Sequence, residues 1–390
     1  MEAIRVGIVG TGFAAASHAD ALRRLPQVEV AGIAGSSKRK AEEAAGRLGI
    51  GRAASSYEDL AADDSIDAIH NCTPNYLHVE INETVLQSGK HLLSEKPLAV
   101  TSQETARLVA LAETSEVVAG VCFNYRHYPL VSQVKMMLEN GHHGRPHFVH
   151  GSYLQDWLVE ADDWNWRLET DKAGRSRAVA DIGSHWLDLV QHVCSDRVTE
   201  VCADLGTLHS ERLRPSPSSE TFQRGDARST ERVAVGTEDF ASILLRFESG
   251  ARGAVTLSQV SPGRKNRLFF EIDTQKAAFA WDQEAPNSLW IGKRNEANRE
   301  LVRDPTLLDD RAAALAHFPG GHQEGWPDGL RNLFLDFYEA VRAHSAGEIG
   351  ESSFATIEDA HRVGLVVEAI MDSASSARWV RVGEKMETAV

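Results

Sequence analysis

At 390 residues the chain is too long for one ordinary core, since single cores rarely grow past about 250 residues, and two domains are expected. A composition of 42% hydrophobic and 25% charged residues is that of a folded globular protein and excludes a disordered chain or a membrane bundle. The formal charge of −15 repels phosphate backbones and disfavours nucleic acid as a partner unless the fold gathers a basic patch. Four cysteines, Cys72, Cys122, Cys194 and Cys202, show no C-x-x-C spacing and are too few for a disulfide framework, which points to a reducing compartment. The N-terminus lacks a basic n-region and no run of about 18 apolar residues occurs, so a cytoplasmic protein away from membranes is expected.

Ile4 to Val9 reads as a short buried strand that runs into Gly10-Thr11-Gly12-Phe13-Ala14-Ala15 and then a helix through Leu25. Val28 to Ala34 is a second β-rich run, Lys38 to Leu48 a second helix, and Asp67 to Cys72 a third strand ending at Thr73-Pro74-Asn75. A helix from His78 to Ser88, a strand from His91 to Ser94, a helix from Ser102 to Ser115 and a strand from Val117 to Phe123 complete the alternation. That rhythm predicts a doubly wound parallel sheet, a Rossmann domain over residues 1–123.

Past Pro129 the texture changes. Val131 to Glu139 reads as a helix closed by Asn140-Gly141, followed by extended runs at Arg145 to Asp156, Val198 to His209, Asp239 to Phe247, Gly253 to Gln259 and Leu268 to Asp273. Val255 and Leu257 alternate with Ala254, Thr256 and Ser258, the period of an antiparallel strand with one covered face. The expectation for residues 124–390 is an α/β domain with a large, open, mostly antiparallel sheet. Arg212 to Glu231, rich in Ser, Pro, Arg and Thr, reads as a surface loop. Helical periodicity returns at Gly329 to His344 and at Thr356 to Ala374.

G-x-G-x-x-A between a strand and a helix lets backbone approach a pyrophosphate at the positive end of the helix, so Gly10, Gly12, Phe13 and Ala14 are candidate dinucleotide contacts. An NAD-preferring site places a carboxylate about 20 residues on, at the end of the second strand. Here that position falls near Gly35, followed by Ser36, Ser37 and Lys38. Two hydroxyls and a lysine suit a 2′-phosphate, so NADP is favoured over NAD; Ser36-Ser37 also reads as a cap for the helix from Lys38.

Taken with that turn, the stretch from Asp67 to Val100 resembles the glucose-fructose oxidoreductase, inositol dehydrogenase and rhizopine-catabolism (Gfo/Idh/MocA) family of NAD(P)-dependent oxidoreductases. Thr73-Pro74-Asn75, His78, Gly89-Lys90-His91 and Glu95-Lys96-Pro97 fall in the family's order, and the likeness continues through Asn124-Tyr125-Arg126 and Asp181-Ile182-Gly183-Ser184-His185. The resemblance implies hydride transfer between a sugar, sugar-derivative or cyclitol hydroxyl and the nicotinamide. It implies cofactor contacts at Thr73, Pro74, Asn75, His78, Glu95, Lys96, Pro97 and Asn124, and catalysis by Lys96, Asp181 and His185, which also face substrate. In that scheme His185 takes the hydroxyl proton, Lys96 stabilises the developing alkoxide, and Asp181 orients His185 or accepts from a substrate hydroxyl. Asp181, His185, Asp188 and His192 share one helical face at i, i+4, i+7 and i+11.

Tyr125 and Arg126 are expected to shape the substrate pocket. Tyr153, Gln155, Trp157, Trp164, Trp166 and Arg167 cluster indoles with amides and charges, which suits a sugar ring, although the tryptophans equally fit a core or a subunit contact. His322, in a glycine-rich loop, reads as a further hydroxyl partner, or the loop merely caps the following helix, for which Asp328 is suited as N-cap. Neither His142-His143 nor the His185/Asp188/His192 face has a zinc spacing, and no metal is expected. The resemblance also admits a glycosidase that oxidises transiently with bound NAD, and a non-catalytic sugar sensor, against which Lys96, Asp181 and His185 argue. One open sheet face suggests a homodimer or homotetramer.

Overall fold

The computed structural model describes residues 3–214, 231–348 and 352–384. The chain divides into two compact units, Met1–Asn124 with Trp326–His361, and Tyr125–Gly325 with Arg362–Val390.

The first unit alternates as the sequence predicts: β1 (Ile4–Val9), α1 (Phe13–Arg23), β2 (Val28–Ala34), α2 (Lys38–Leu48), α3 (Tyr57–Ala61), β3 (Ala68–Asn71), α4 (His78–Gln87), β4 (His91–Ser94), α5 (Ser102–Thr114) and β5 (Ala119–Val121). Side chains start the helices, Ser37 capping α2 and Thr101 with Glu104 forming a capping box on α5. The five strands are parallel in the order β5-β4-β3-β1-β2. β1 therefore has β2 on one side and β3 on the other, and the turns leaving the carboxyl ends of β1 and β3 flank the point where open α/β sheets bind ligands. The single short helix α3, absent from the sequence reading, packs Leu60 into the cluster of Val9, Ile69, Ile81 and Leu92.

The second unit contains α6 (Pro129–Glu139), β6 (Pro146–Leu154), α7 (Thr170–Ala173), α8 (Ser184–Cys194), β7 (Val198–Gly206), β8 (Glu211–Arg214), β9 (Glu231–Ala234), β10 (Phe240–Phe247), β11 (Arg252–Ser258), β12 (Arg267–Thr274), β13 (Ala278–Asp282), β14 (Ser288–Gly292), β15 (Arg299–Val302) and α9 (Asp310–Ala313). The chain ends with α10 (Trp326–Ser345), β16 (Ala355–Thr356), α11 (Ile357–Ser376) and β17 (Val380–Arg381). Nine strands form one sheet in the order β15-β14-β13-β12-β6-β11-β10-β7-β17. It is antiparallel except at β6 and β11, which run parallel. Along β10 the residues alternate, Ala241, Ile243 and Leu245 buried and Phe240, Ser242 and Leu244 exposed, so one face is covered and the other open. α8 lies on the covered face, where the Trp186 indole donates to the Phe269 carbonyl at 2.9 Å.

Two expectations change. Residues 124–390 do not form one unit, because α10 buries Leu330, Leu333, Phe334 and Phe337 in the same cluster as Val6, Ile8, Ala15, Ala19 and Leu22 of β1 and α1. β16 then pairs antiparallel with β5, so the returning chain also extends the first sheet. The stretch from Arg212 to Glu231 is not all loop: its ends belong to β8 and β9, which pair antiparallel, while 215–230 fall outside the described residues. Arg212 is buried, and its guanidinium shares the Asp239 carboxylate with Arg177, the Arg212 contact being 3.0 Å. Charged composition reads as surface, and only a long-range partner reverses that. Among the described residues, no helix is long and apolar enough to cross a membrane.

Candidate functional site

Gly10 leaves β1 with φ +126°, and a Cβ there would lie 2.5 Å from the Cys72 carbonyl oxygen, so only glycine fits against the end of β3. Gly12 differs. It is extended, with φ −88° and ψ −158°, and a Cβ on it would meet nothing within 4 Å. It is also the N-cap of α1 without a side-chain hydrogen bond to the first turn, which Phe13 and Ala14 open. An open cradle before an uncapped helix N-terminus fits a pyrophosphate.

The neighbouring turns lie on the same carboxyl edge. Asn71 at the end of β3 accepts from the Thr73 hydroxyl at 2.7 Å and donates to Asn82 at 2.8 Å, and Asn82 donates to Ser94 at 3.0 Å. His78 places one ring nitrogen 2.8 Å from the Thr73 carbonyl and the other 2.7 Å from the Pro97 carbonyl, tying the Thr73-Pro74-Asn75 turn to the cis Lys96-Pro97 turn. Burial lowers the His78 pKa, so the neutral ring donates one of these bonds at a time. Lys96 is half-buried beside Glu95, whose Oε2 accepts from the Lys96 backbone N–H at 3.1 Å. Asn124 is buried after β5, and its Nδ2 has no hydrogen-bond partner among the described residues, leaving a donor for a bound group.

The 2′-phosphate candidates separate. Ser36 is exposed, Ser37 accepts from the Lys40 N–H as the α2 cap, and Lys38 donates to the Ala53 carbonyl. The capping alternative thus holds for Ser37, and Lys38 is engaged away from Ser36.

In the second unit, Asp181 sits in a π-helical turn, Val179–Gly183, that leads into α8. The four titratable residues are therefore not on one uninterrupted α-helix. Asp181 pairs with Arg167 at 3.2 Å and accepts from Gln259 Nε2 at 2.9 Å, while Gln259 Oε1 accepts from Arg177 at 3.2 Å. Asp188 is taken by Arg126, which donates from Nε at 2.8 Å and from a second nitrogen. Arg126 is thus a partner of α8, and this buried pair holds the segment after residue 124 to the helix. His192 is pushed well below the ordinary histidine pKa by burial and then by Arg126 and Lys135.

His185 is buried against the edge of Tyr125, with ring centroids 4.9 Å apart, and lies 6.3 Å from the Tyr153 ring. Tyr153 donates to Asn266 Oδ1 at 2.7 Å and Asn266 Nδ2 donates to Tyr125 at 3.0 Å. Each phenol has one proton, so Tyr125 must donate to Tyr153 across 2.9 Å, closing a three-member ring of hydrogen bonds. Gln155 donates to the same Asn266 oxygen at 2.9 Å, and Trp157 donates to Gln155 at 2.8 Å. Burial raises both tyrosine pKa values, so the hydroxyls remain neutral. Among the tryptophans, Trp164 belongs to a core cluster with Leu158, Leu168 and Val235, Trp157 packs against it, and Trp166 carries the Arg167 guanidinium 4.5 Å over its ring. His322 is exposed, with its carbonyl held by Arg303. Asp328 lies in the first turn of α10 and pairs with Arg24, so it is not the N-cap.

Residues 4–123 match a family model described as an oxidoreductase family with an NAD-binding Rossmann fold, and residues 131–280 match the GFO/IDH/MocA C-terminal domain. The chain belongs to the Gfo/Idh/MocA oxidoreductase family. Levoglucosan dehydrogenase of Pseudarthrobacter phenanthrenivorans is 29% identical over 399 residues, covering 98% of this chain and 99% of the relative. An oxidoreductase domain protein from Kribbella flavida superposes with TM-score 0.87 at 30% identity, covering 98% of this chain and 100% of that one. A levoglucosan dehydrogenase complex with NADH and L-sorbose gives TM-score 0.87 at 27% identity, covering 99% and 100%.

In this Gfo/Idh/MocA member several polar residues escaped the sequence reading. Gln259 and Asn266 lie just beyond strand ends, where no periodicity marks them. His18 leaves a trace, a histidine on the buried face of α1 beside Ala15, Ala19 and Leu22. Among the described residues His18, Glu95 and Cys122 are the one set of His, Cys and acidic side chains whose ligand atoms fall within 4.8 Å of one another. His18 bonds Glu95 at 3.0 Å, and burial holds the Cys122 thiol well above its ordinary pKa, so hydrogen bonding accounts for the group.

Proposed function

We propose that the protein oxidises a secondary hydroxyl of a sugar, anhydrosugar or cyclitol with NADP or NAD. The observation that carries this reading is the full-length likeness to a dehydrogenase solved with NADH and a sugar, joined to an uncapped α1 N-terminus behind an open Gly12. When bound, the nicotinamide supplies the hydride acceptor.

Gly10, Gly12, Phe13 and Ala14 hold the pyrophosphate, the Thr73-Pro74-Asn75 turn, Glu95 and Pro97 line the nicotinamide side, and the Asn124 amide donates to the dinucleotide. Lys96 places positive charge at the oxygen that becomes an alkoxide. His185 takes the hydroxyl proton, and its ring is fixed by the Tyr125 edge. Asp181, held by Arg167 and Gln259, presents a fixed acceptor to a substrate hydroxyl. The two phenols of the Tyr125–Tyr153–Asn266 ring spend their protons internally, so they shape the pocket wall and offer oxygen lone pairs to sugar hydroxyls. Exposed Ser36, with no carboxylate at the end of β2, supports a preference for the phosphorylated dinucleotide. A second copy of the chain covers the open face of the nine-stranded sheet, where Phe240 and Leu244 are exposed, giving a dimer or tetramer.

The test is absorbance of reduced nicotinamide with NAD or NADP across monosaccharides, levoglucosan, cyclitols and glycosides. Steady accumulation supports the dehydrogenase. Glycoside cleavage without accumulation assigns a transient-oxidation glycosidase instead, and sugar binding with neither assigns a sensor.

A further inference from the structure

A chain of buried hydrogen bonds runs through the first unit and ends on the residue before Lys96. The Tyr338 hydroxyl of α10 lies 2.7 Å from His70 Nε2, His70 Nδ1 lies 2.9 Å from His18 Nδ1, and His18 Nε2 lies 3.0 Å from Glu95 Oε1. Tyr338, His70 and His18 are fully buried, while Glu95 retains 19% side-chain exposure at the carboxyl edge.

The proton positions follow from the inventory of donors. An ionised Glu95 only accepts, and its other oxygen already takes the Lys96 backbone N–H at 3.1 Å. His18 must then carry its proton on Nε2. If both imidazoles are neutral, His18 Nδ1 is bare, His70 Nδ1 carries the shared proton, and His70 Nε2 accepts from Tyr338. Burial, followed by the nearby His18, keeps His70 neutral by lowering its pKa well below the ordinary value, and burial raises Tyr338 well above its own. With both rings neutral one arrangement satisfies these four groups, and all of its donors point toward Glu95.

We propose that Tyr338, His70 and His18 are positioning residues that hold Glu95 as an ionised acceptor, fixing the backbone of Lys96 through a one-directional relay. The proposal rests on the assignment of Lys96 to the reaction. Without the Tyr338 hydroxyl, His70 Nε2 loses its donor, and the bond that excludes the Nε2–H tautomer of His70 is gone. In that tautomer His70 Nδ1 meets a bare His18 Nδ1 unless His18 shifts its own proton, which removes the donor to Glu95. The carboxylate must gain a proton to keep that bond. Cys122 after β5, Cys72 after β3, His78 of α4 and the Lys96 backbone N–H also face Glu95. The two thiols stay protonated by burial, which leaves His18 as the partner that changes.

The test uses the full chain. In the parent protein, 15N imidazole NMR is expected to find His18 as the Nε2–H tautomer and His70 as the Nδ1–H tautomer. An imidazolium at His70, or the reverse tautomers, overturns the relay without any mutation. Tyr338→Phe is expected to populate the reversed tautomers beside the parent ones, to lower kcat about tenfold with sugar KM and dinucleotide Kd near parent values, and to move the acid limb of the kcat profile upward. A Tyr338→Phe enzyme with the parent kcat and pH profile overturns the positioning role. If Lys96→Ala left turnover unchanged while the parent tautomers were as expected, the Lys96 assignment would fall and the relay to Glu95 would stand.

Discussion

Two glycines two residues apart should fail in opposite ways when each is changed to alanine. At Gly10 the new methyl would sit 2.5 Å from the Cys72 carbonyl oxygen and 2.8 Å from its carbon, with φ fixed at +126°. That backbone cannot withdraw, because the Cys72 N–H donates to the Val9 carbonyl at 2.7 Å and joins β3 to β1. Backbone strain of about 1–3 kcal/mol and overpacking of about 1–3 kcal/mol together predict a loss of roughly 2–6 kcal/mol. At Gly12 the backbone is already extended and the methyl meets nothing within 4 Å, so stability should stay within about 0.5 kcal/mol. The same methyl enters the space before α1 and should weaken dinucleotide binding by about tenfold or more, roughly 1.4 kcal/mol. Thermal melts by circular dichroism and dinucleotide titration by calorimetry read the two quantities separately. A Gly12→Ala protein that binds NAD and NADP as the parent does, or that melts as low as Gly10→Ala, would refute the assignment of this turn.

Other substitutions test the remaining parts. Lys96→Ala should lower turnover by on the order of 10²-fold while dinucleotide Kd stays within about twofold, measured by steady-state kinetics and titration; an unchanged rate removes Lys96 from the chemistry. Ser36→Asp should lower the NADP-to-NAD ratio of kcat/KM by about tenfold through charge repulsion, and a ratio that does not move counts against the 2′-phosphate site. Ser36 is the position to change because a Cβ on Gly35 would sit 2.8 Å from the Thr11 methyl. Asp239→Asn leaves Arg177 and Arg212 buried around a neutral group, and should cost about 3–5 kcal/mol in a denaturant titration. Burial acts to raise the Asp239 pKa, but Arg177 and Arg212 bring it below the ordinary value of 3.8, so its contribution is complete above that pH and is lost as pH falls through the lower folded value. The gap between parent and Asp239→Asn should therefore be constant from about pH 5 to 8 and shrink only below about pH 4; a gap that closes near neutrality refutes the ion triad.

The local grammar of the chain determined the first sheet. A strand, a glycine turn and an amphipathic helix are set by neighbours a few residues apart, so β1, the Gly10–Gly12 turn and α1 were legible, while Lys96, Asp181 and His185 are proposed from their motifs. The alternating strands of the second unit were equally plain, although β13, β14 and β15 were too short to stand out. What periodicity does not encode is which distant segment covers an apolar face or completes a polar atom. α10 reads only as an amphipathic helix, and the tertiary structure alone sends it back to α1, where Tyr338 meets a histidine 268 residues earlier. Arg212 reads as loop until Asp239 buries it, and Arg126 reads as a pocket residue until Asp188 claims it. A buried charge or hydroxyl is stable only beside its partner, and that pairing is settled when the chain folds back on itself.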